Sequence, residues 1–386
     1  MKSSFNIKHI LFIMITALLA VSCLEEYTPE IVENDENILV VEGNIGDIVT
    51  SIQLSRTTNL GENALVGESN AKVILEDESQ SFQKELTEKS GGLYEDSVIL
   101  ELSKKYRIRI ITSGDQEFVS ETLSILKTPV IDSVGWDAAT YGLQIHVSTH
   151  DDTGDTQYYY WSYEETYVYT SRYYSYFFYE DEEMQYRDSE DQIYTCWKTN
   201  SGTDINVGST IQLTENVIYK QPVTLIVPSD NVKLARKYSI KVTQRAISKD
   251  YYEFWELLKQ NSEELGTLFD PQPSQLTTNF TSVNSEDDKI LGFIGASTLE
   301  EERKFIQRSD LPYEDIPYYY NSFCTLDTIL NNPDSLAEAF KGGVNIPTTE
   351  INNGGIVTHY VGSSPSCVDC TTYGGTTEEP DFWDED

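Results

Sequence analysis

From residue 38 to residue 120 the chain falls into short segments whose apolar residues recur at every second position, each closed by turn residues. Ile38-Leu39-Val40-Val41-Glu42-Gly43 is apolar, β-branched and closed by glycine. Ser51-Ile52-Gln53-Leu54-Ser55 and Tyr106-Arg107-Ile108-Arg109-Ile110 alternate with period two. Ala71 to Leu75 and Ser81 to Leu86 read as a hairpin, and Glu117-Phe118-Val119-Ser120 returns after Ser113-Gly114-Asp115. Successive β-strand side chains point to opposite faces, so this alternation gives half-buried strands and excludes amphipathic helix. Six or seven such strands over about 100 residues predict an Ig-like β-sandwich at 37–128.

Pro129 marks the next boundary. Val130 to Trp136, Leu143 to Val147, Val223 to Val227 and Lys237 to Val242 are further strand signals, and Leu291 to Gly295 and Arg303 to Ile306 read as closing strands. One helix interrupts them, at about 249–265. Ser248 is its N-cap, and Tyr251, Phe254, Trp255, Leu258 and Leu265 make one apolar stripe that Gly266 ends. That stripe predicts core packing. The expected fold class is mainly β: the Ig-like sandwich, a larger β-rich domain at 129–341 carrying this helix, and a Gly/Thr-rich, disulfide-stapled tail at 342–386.

The N-terminus gives an address. Lys2 and Lys8 precede an apolar run from Ile10 to Val21, and Ala20-Val21-Ser22-Cys23 follows. The run is shorter than the roughly 20 apolar residues of a membrane span. It reads as a lipoprotein signal peptide at 1–22, with Cys23 as the lipidated residue and 23–36 as a tether. The net charge of −37 becomes −39 in the mature chain, because two lysines and no acids leave with the signal. Such acidity argues against nucleic acid and anionic membrane surfaces as partners, since both are polyanions.

Four cysteines remain: Cys196, Cys324, Cys367 and Cys370. An even number in an exported chain predicts two disulfides, with three possible connectivities. Cys367 and Cys370 form a CxxC, but zinc would want a second CxxC or paired histidines, and the mature chain holds only His146, His150 and His359. His146 and His150 fall on one strand face and read as ordinary sheet residues. No phosphate-binding glycine loop, GxSxG elbow or HExxH is present. The expectation is therefore no catalytic residue, no metal site and no cofactor.

Tyr158 to Tyr179 holds thirteen aromatics in 22 residues, and Glu180-Asp181-Glu182-Glu183 follows. Two readings stand: a long hairpin packing its rings along a sheet, or an acid-rimmed contact surface, to which tyrosine suits itself by large area at low entropy cost. Tyr158 to Tyr169 is expected to be sheet. Tyr173, Tyr174, Tyr176, Phe177, Phe178 and Tyr179 are expected to face a partner or ligand, because Arg172, Ser175 and the acid run imply exposure.

Several motifs recur together: the Leu-Val-Val-Glu-Gly strand after a lipoprotein cysteine, Gly266 to Gln275, Leu291 to Ser297, the CxxC at 367–370, Gly374-Gly375-Thr376 and Pro380-Asp381-Phe382-Trp383. In this combination the chain resembles domain-of-unknown-function family 4249 of Bacteroidota lipoproteins. Glu378-Glu379 departs from the basic residues common there. Leu24-Glu25-Glu26 resembles the surface-export signal of the same group. The resemblance implies an outer-membrane lipoprotein facing the cell exterior, held by its lipid anchor and acting as a non-catalytic accessory or ligand-capture partner of a TonB-dependent transporter. It implies no catalytic residues. A surface hydrolase with an acidic cleft, or a structural or adhesive surface protein, are the alternatives.

Overall fold

The alternating segments pair into two sheets that close on one core. The computed structural model describes residues 37–58, 66–230, 232–262, 277–285 and 288–383. Cys23, the tether, the helix positions beyond 262 and the 266–275 motif lie outside the described residues. One sheet runs in the order Ile290–Ala296, Leu39–Ile45, Val49–Arg56, Leu93–Ser97, Thr87–Glu88; the other runs Phe280–Ser282, Glu117–Ser120, Lys105–Ile111, Lys72–Asp77, Gln83–Glu85. Leu39, Val41, Ile52 and Leu54 face Val73, Leu75, Ile108, Ile110 and Phe118 across a buried interior. At about 25 cal/mol per Å² of apolar surface removed from water, this interior is what holds the sheets together.

The boundary expected at 128 does not close this sandwich. Its outer strand in one sheet, Ile290–Ala296, and in the other, Phe280–Ser282, come from far along the chain. Ile290–Ala296 runs parallel to Leu39–Ile45, with Leu39 opposite Ile290 and Ile45 opposite Ala296. Parallel pairing needs a crossover rather than a turn, so no local pattern announces it. Gly292 permits the approach: its φ is +96°, and a Cβ there would run into the Val41 carbonyl oxygen.

A second sandwich packs three strands on five, the fifth being Asn206–Ser209, which pairs with the start of Tyr158–Thr170. Ile131–Ala139, Gly142–His150 and Val217–Ile226 face Thr195–Ser201, Tyr158–Thr170, Lys237–Ala246 and Leu299–Gln307. Leu143, Ile145, Val147, Trp161, Tyr238 and Ile240 are fully buried between them. Ile290–Ala296 of the first sandwich passes into Leu299–Gln307 of the second through Ser297 and Thr298 alone. Asn44 Nδ2 donates to the Ser297 carbonyl at 3.0 Å, and the Thr128 N–H to Thr298 Oγ1 at 2.8 Å.

The predicted helix, α1 (Lys249–Ser262), fills the corner between the sandwiches. Ser248 caps it, accepting from the Tyr251 N–H at 3.2 Å. Tyr251, Phe254 and Trp255 are buried with Val207 and Ile247 of the second sandwich and Phe293 of the first. No helix among the described residues is long and apolar enough to cross a membrane.

Residues 342–383 are not a tail. Asp327–Leu330, Ile356–Ser363 and Ile346–Asn353 form a three-stranded sheet, backed by α2 (Pro333–Phe340). Leu336 and Phe340 of α2 pack with Phe177 and Tyr360. The Pro380 to Trp383 motif is docked: Trp383 is buried, its carbonyl accepts from Lys237 Nζ at 2.8 Å, and its ring meets Trp197 and Phe305.

Candidate functional site

The aromatic segment divides at Ser171. Before it, Tyr158–Thr170 is an inner strand of the five-stranded sheet. Tyr159 and Trp161 are fully buried and stacked at 5.6 Å; Tyr167 and Tyr169 follow on the same face. Tyr160, on the other face, stacks on Trp255 at 4.8 Å, and burial pushes its phenol up to about 12. This half packs aromatic rings on both faces of the sheet.

Beyond Ser171 the chain leaves the sheet. Ser175 was expected to mark exposure, and it is fully buried. Its Oγ lies 2.8 Å from both the Phe177 and Pro347 carbonyl oxygens and accepts from Arg187 Nε at 3.2 Å. With Ser175 turned in, Tyr174 and Tyr176 turn out, 36% and 55% exposed. Tyr174 meets Tyr176 at 4.7 Å and Tyr194 at 5.2 Å, with planes inclined by 52° and 56°. The three rings make a tilted cluster rather than a flat stack. Exposed tyrosine clusters of this kind pair large contact area with hydroxyl tips.

The other expected contact residues are not part of that surface. Phe177 is buried with Leu336, Phe340 and Tyr360, because strand alternation carries it to the same side as Ser175. Tyr179 is half-buried against Phe340, and Phe178 lies beneath the Arg187 guanidinium at 5.6 Å. Tyr173 is half-buried and donates to the Cys324 carbonyl at 3.1 Å. The acid run is a hairpin turn: Phe177–Glu180 pairs with Glu183–Tyr186, and Asp181 and Glu182 both take positive φ. Tyr186 and Tyr194 were missed. Tyr186, 71% exposed, is placed by that hairpin opposite Phe177.

Two disulfides hold this region. Cys196 bonds Cys370, and Cys324 bonds Cys367. The CxxC cysteines thus reach different segments, which is a staple and not a redox or zinc arrangement. Around them, the Tyr173 N–H donates to the Cys367 carbonyl, the Cys370 N–H to the Ile193 carbonyl and the Tyr176 N–H to the Thr348 carbonyl. The cluster therefore stands on cross-linked backbone from three parts of the sequence.

The histidines do share a strand face. His146 lies over Gly135, where a Cβ would run into its ring, and its Nε2 is 3.4 Å from Asp137. Burial holds its pKa below the ordinary value. His150 Nδ1 is 2.8 Å from Asp132, which raises its pKa. His150 lines a cleft of about 700 Å³ with Lys127, Asp152, Tyr158 and Lys249. No group of three or more His, Cys, Asp or Glu among the described residues is arranged to hold a metal ion. The geometry of the tyrosine cluster offers contact and hydrogen bonding.

The model of a family described as a domain of unknown function, DUF4249, matches residues 24–303. No curated protein matches. Among solved structures, a two-domain fibronectin type III segment of chicken tenascin is 9% identical, over 53% of this chain and 88% of that one, with a TM-score of 0.16. A protein from Bacteroides uniformis described as a putative carbohydrate binding protein is 11% identical, over 55% and 91%, with a TM-score of 0.17. A DUF3823 family protein from Bacteroides ovatus is 11% identical, over 54% and 90%, at 0.13.

Proposed function

Since the chain belongs to the DUF4249 family, we propose that it is an outer-membrane lipoprotein, anchored at Cys23 and facing the cell exterior, that captures a ligand beside a TonB-dependent transporter and does no chemistry of its own. The observation that most supports this reading is the tilted cluster in which exposed Tyr174 and Tyr176 stand beside half-buried Tyr194 on disulfide-stapled backbone. Presenting large, stiff, hydroxyl-tipped rings on an immobile base lowers the ordering cost of binding. The two disulfides fit an oxidising compartment outside the cytoplasm. The lipobox and the acidic residues after Cys23 supply the address.

Native affinity purification in mild detergent tests the proposal. It predicts that a transporter barrel is recovered with the protein, and that metabolic labelling with a palmitate analogue marks the wild type but not Cys23→Ala. Recovery of the protein alone would count against the transporter, and an unlabelled wild type against the anchor.

A further inference from the structure

We infer that the face bearing Arg172, Tyr319, Tyr318 and Phe323 docks an acidic, carboxylate-bearing segment of a partner protein. The inference rests on the accessory reading above and adds the face used and the chemistry of the partner's contact.

Charge carries it first. The sequence holds 64 acidic residues against 27 lysines and arginines, so an arginine at the surface should find a carboxylate. Arg56, Arg107, Arg109 and Arg303 do. Arg172, Arg236 and Arg308 form no ion pair among the described residues, although Glu314 and Asp315 lie exposed a few positions after Arg308. The three sit together instead. The Arg308 N–H donates to the Arg236 carbonyl at 2.8 Å, and Arg236 Nη2 donates at 3.3 Å to Oγ1 of Thr170, two positions before Arg172. Like charges gathered without a counter-charge repel, and an anionic partner removes that repulsion.

Rings set the guanidinium groups in line. Arg172 lies over the Tyr319 ring at 4.9 Å, Tyr319 meets Tyr318 at 6.3 Å, and Arg308 lies over Tyr318 at 3.9 Å. Arg308 is held further by the Ala235 and Ile316 carbonyls. Arg172 is exposed and makes no hydrogen bond among the described residues, so its planar fork is open to a carboxylate.

Apolar surface beside this strip makes the partner a protein. Phe323 is 95% exposed and Tyr318 52%. Tyr173, next to Arg172, donates to the carbonyl of Cys324, next to Phe323, so ring and guanidinium stand on adjoining backbone. The Cys324–Cys367 bond holds that loop, as does Asn321, whose Oδ1 accepts from the Phe323 N–H at 2.9 Å. A bare phenylalanine on fixed backbone beside arginine and tyrosine has the make-up of an interface hot spot. A free anion would leave the Phe323 ring in water, and an anionic lipid surface is repelled by the rest of a chain of net −37.

Zero-length carbodiimide cross-linking, in a mild detergent extract of cells making full-length Arg172→Lys, tests the inference, because it joins an amine only to a carboxylate in contact with it. Mass spectrometry is expected to find position 172 joined to an Asp or Glu of a second, identified protein. Recovery of that protein should fall at least tenfold in Arg172→Glu and in Phe323→Ala, and stay level in Tyr219→Ala on Val217–Ile226. All three side chains are exposed, so the variants fold; near-ultraviolet circular dichroism checks that they do. No cross-link at 172, a cross-link to Glu314, Asp315 or a second copy of this chain, or unchanged recovery in either variant overturns the docking face. A transporter barrel recovered with the wild type alongside any of those results keeps the accessory reading and moves its contact elsewhere. The expected cross-link and losses, found with a protein other than a barrel, keep the docking face and remove the transporter.

Discussion

Removing the two disulfides separately gives different losses, and the difference can be worked from sequence separation. Cys196 and Cys370 are 174 residues apart; Cys324 and Cys367 are 43 apart. If a cross-link acts mainly by restricting the unfolded chain, the longer loop is worth about 5 kcal/mol and the shorter about 4 kcal/mol. The shorter bridge lies within the longer loop and removes only a fraction of it, so the order holds when one bridge is cut and the other kept. Packing acts in the same direction, because Cys196 and Cys370 are both fully buried. The perturbations are Cys196→Ala with Cys370→Ala, and Cys324→Ala with Cys367→Ala. Urea unfolding followed by tryptophan fluorescence reads them, since Trp197 adjoins the first bridge and meets Trp383 at 6.5 Å. The first pair is expected to lose more. A larger loss in the second pair, or losses below about 1 kcal/mol in both, would refute the loop-entropy account.

Trp255→Ala should cost about 3–5 kcal/mol in urea unfolding, because the ring is buried against Tyr160, Tyr251 and Phe254; Tyr219→Ala, 77% exposed, should stay within about 0.5 kcal/mol. Asp181→Asn with Glu182→Gly should raise stability by about 0.5–1 kcal/mol and lift the melting midpoint, as both residues now hold positive φ at the hairpin tip. His150 titrates high because Asp132 hydrogen-bonds it. Its contribution to stability is present below the unfolded value and is lost as pH rises through the folded one; Asp132→Asn should return its NMR titration toward the ordinary value. His146 has the opposite sign. Its contribution is present above the unfolded value and is lost as pH falls through the lowered folded one, and its NMR midpoint should lie below that of a free histidine.

Local periodicity was legible, and long-range partnership was not. The strands of 39–120 and the stripe of α1 could be read because each depends on residues a few positions apart, and Ser248 caps where a serine before an apolar run should. Cysteine parity announced two bridges, but which thiols meet depends on how three distant segments fold. Ser175 misled because polarity was equated with exposure; a hydroxyl lying against two carbonyls and one guanidinium is at home inside. Phe177 misled because the acid run beside it is a turn, and turns return a strand to the core. The glycine-rich composition from 342 onward reads as a tail, whereas the positive φ of Gly354 and Gly355 makes them the tip of the hairpin joining Ile346–Asn353 to Ile356–Ser363. One local signal was overlooked: Asn332-Pro333 is an N-cap followed by proline at the first helical position, and Asn332 does accept from the Ser335 N–H at 2.9 Å.

The parallel pairing of Leu39–Ile45 with Ile290–Ala296 has a consequence for the order of assembly. The first sandwich begins earliest in sequence, yet one of its strands stays unpaired along a whole edge until some 250 residues more have been made; Asn44 and Ser297, which meet there, are 253 apart. Closing that edge carries the loop entropy of a very distant contact, so it should come late. Until then a seven-residue strand, four of its residues apolar, offers free N–H and C=O groups to any passing chain. A protein cut short at residue 128 would keep that edge open for good. Whatever escorts the newly made chain has this strand to shield until its second half arrives.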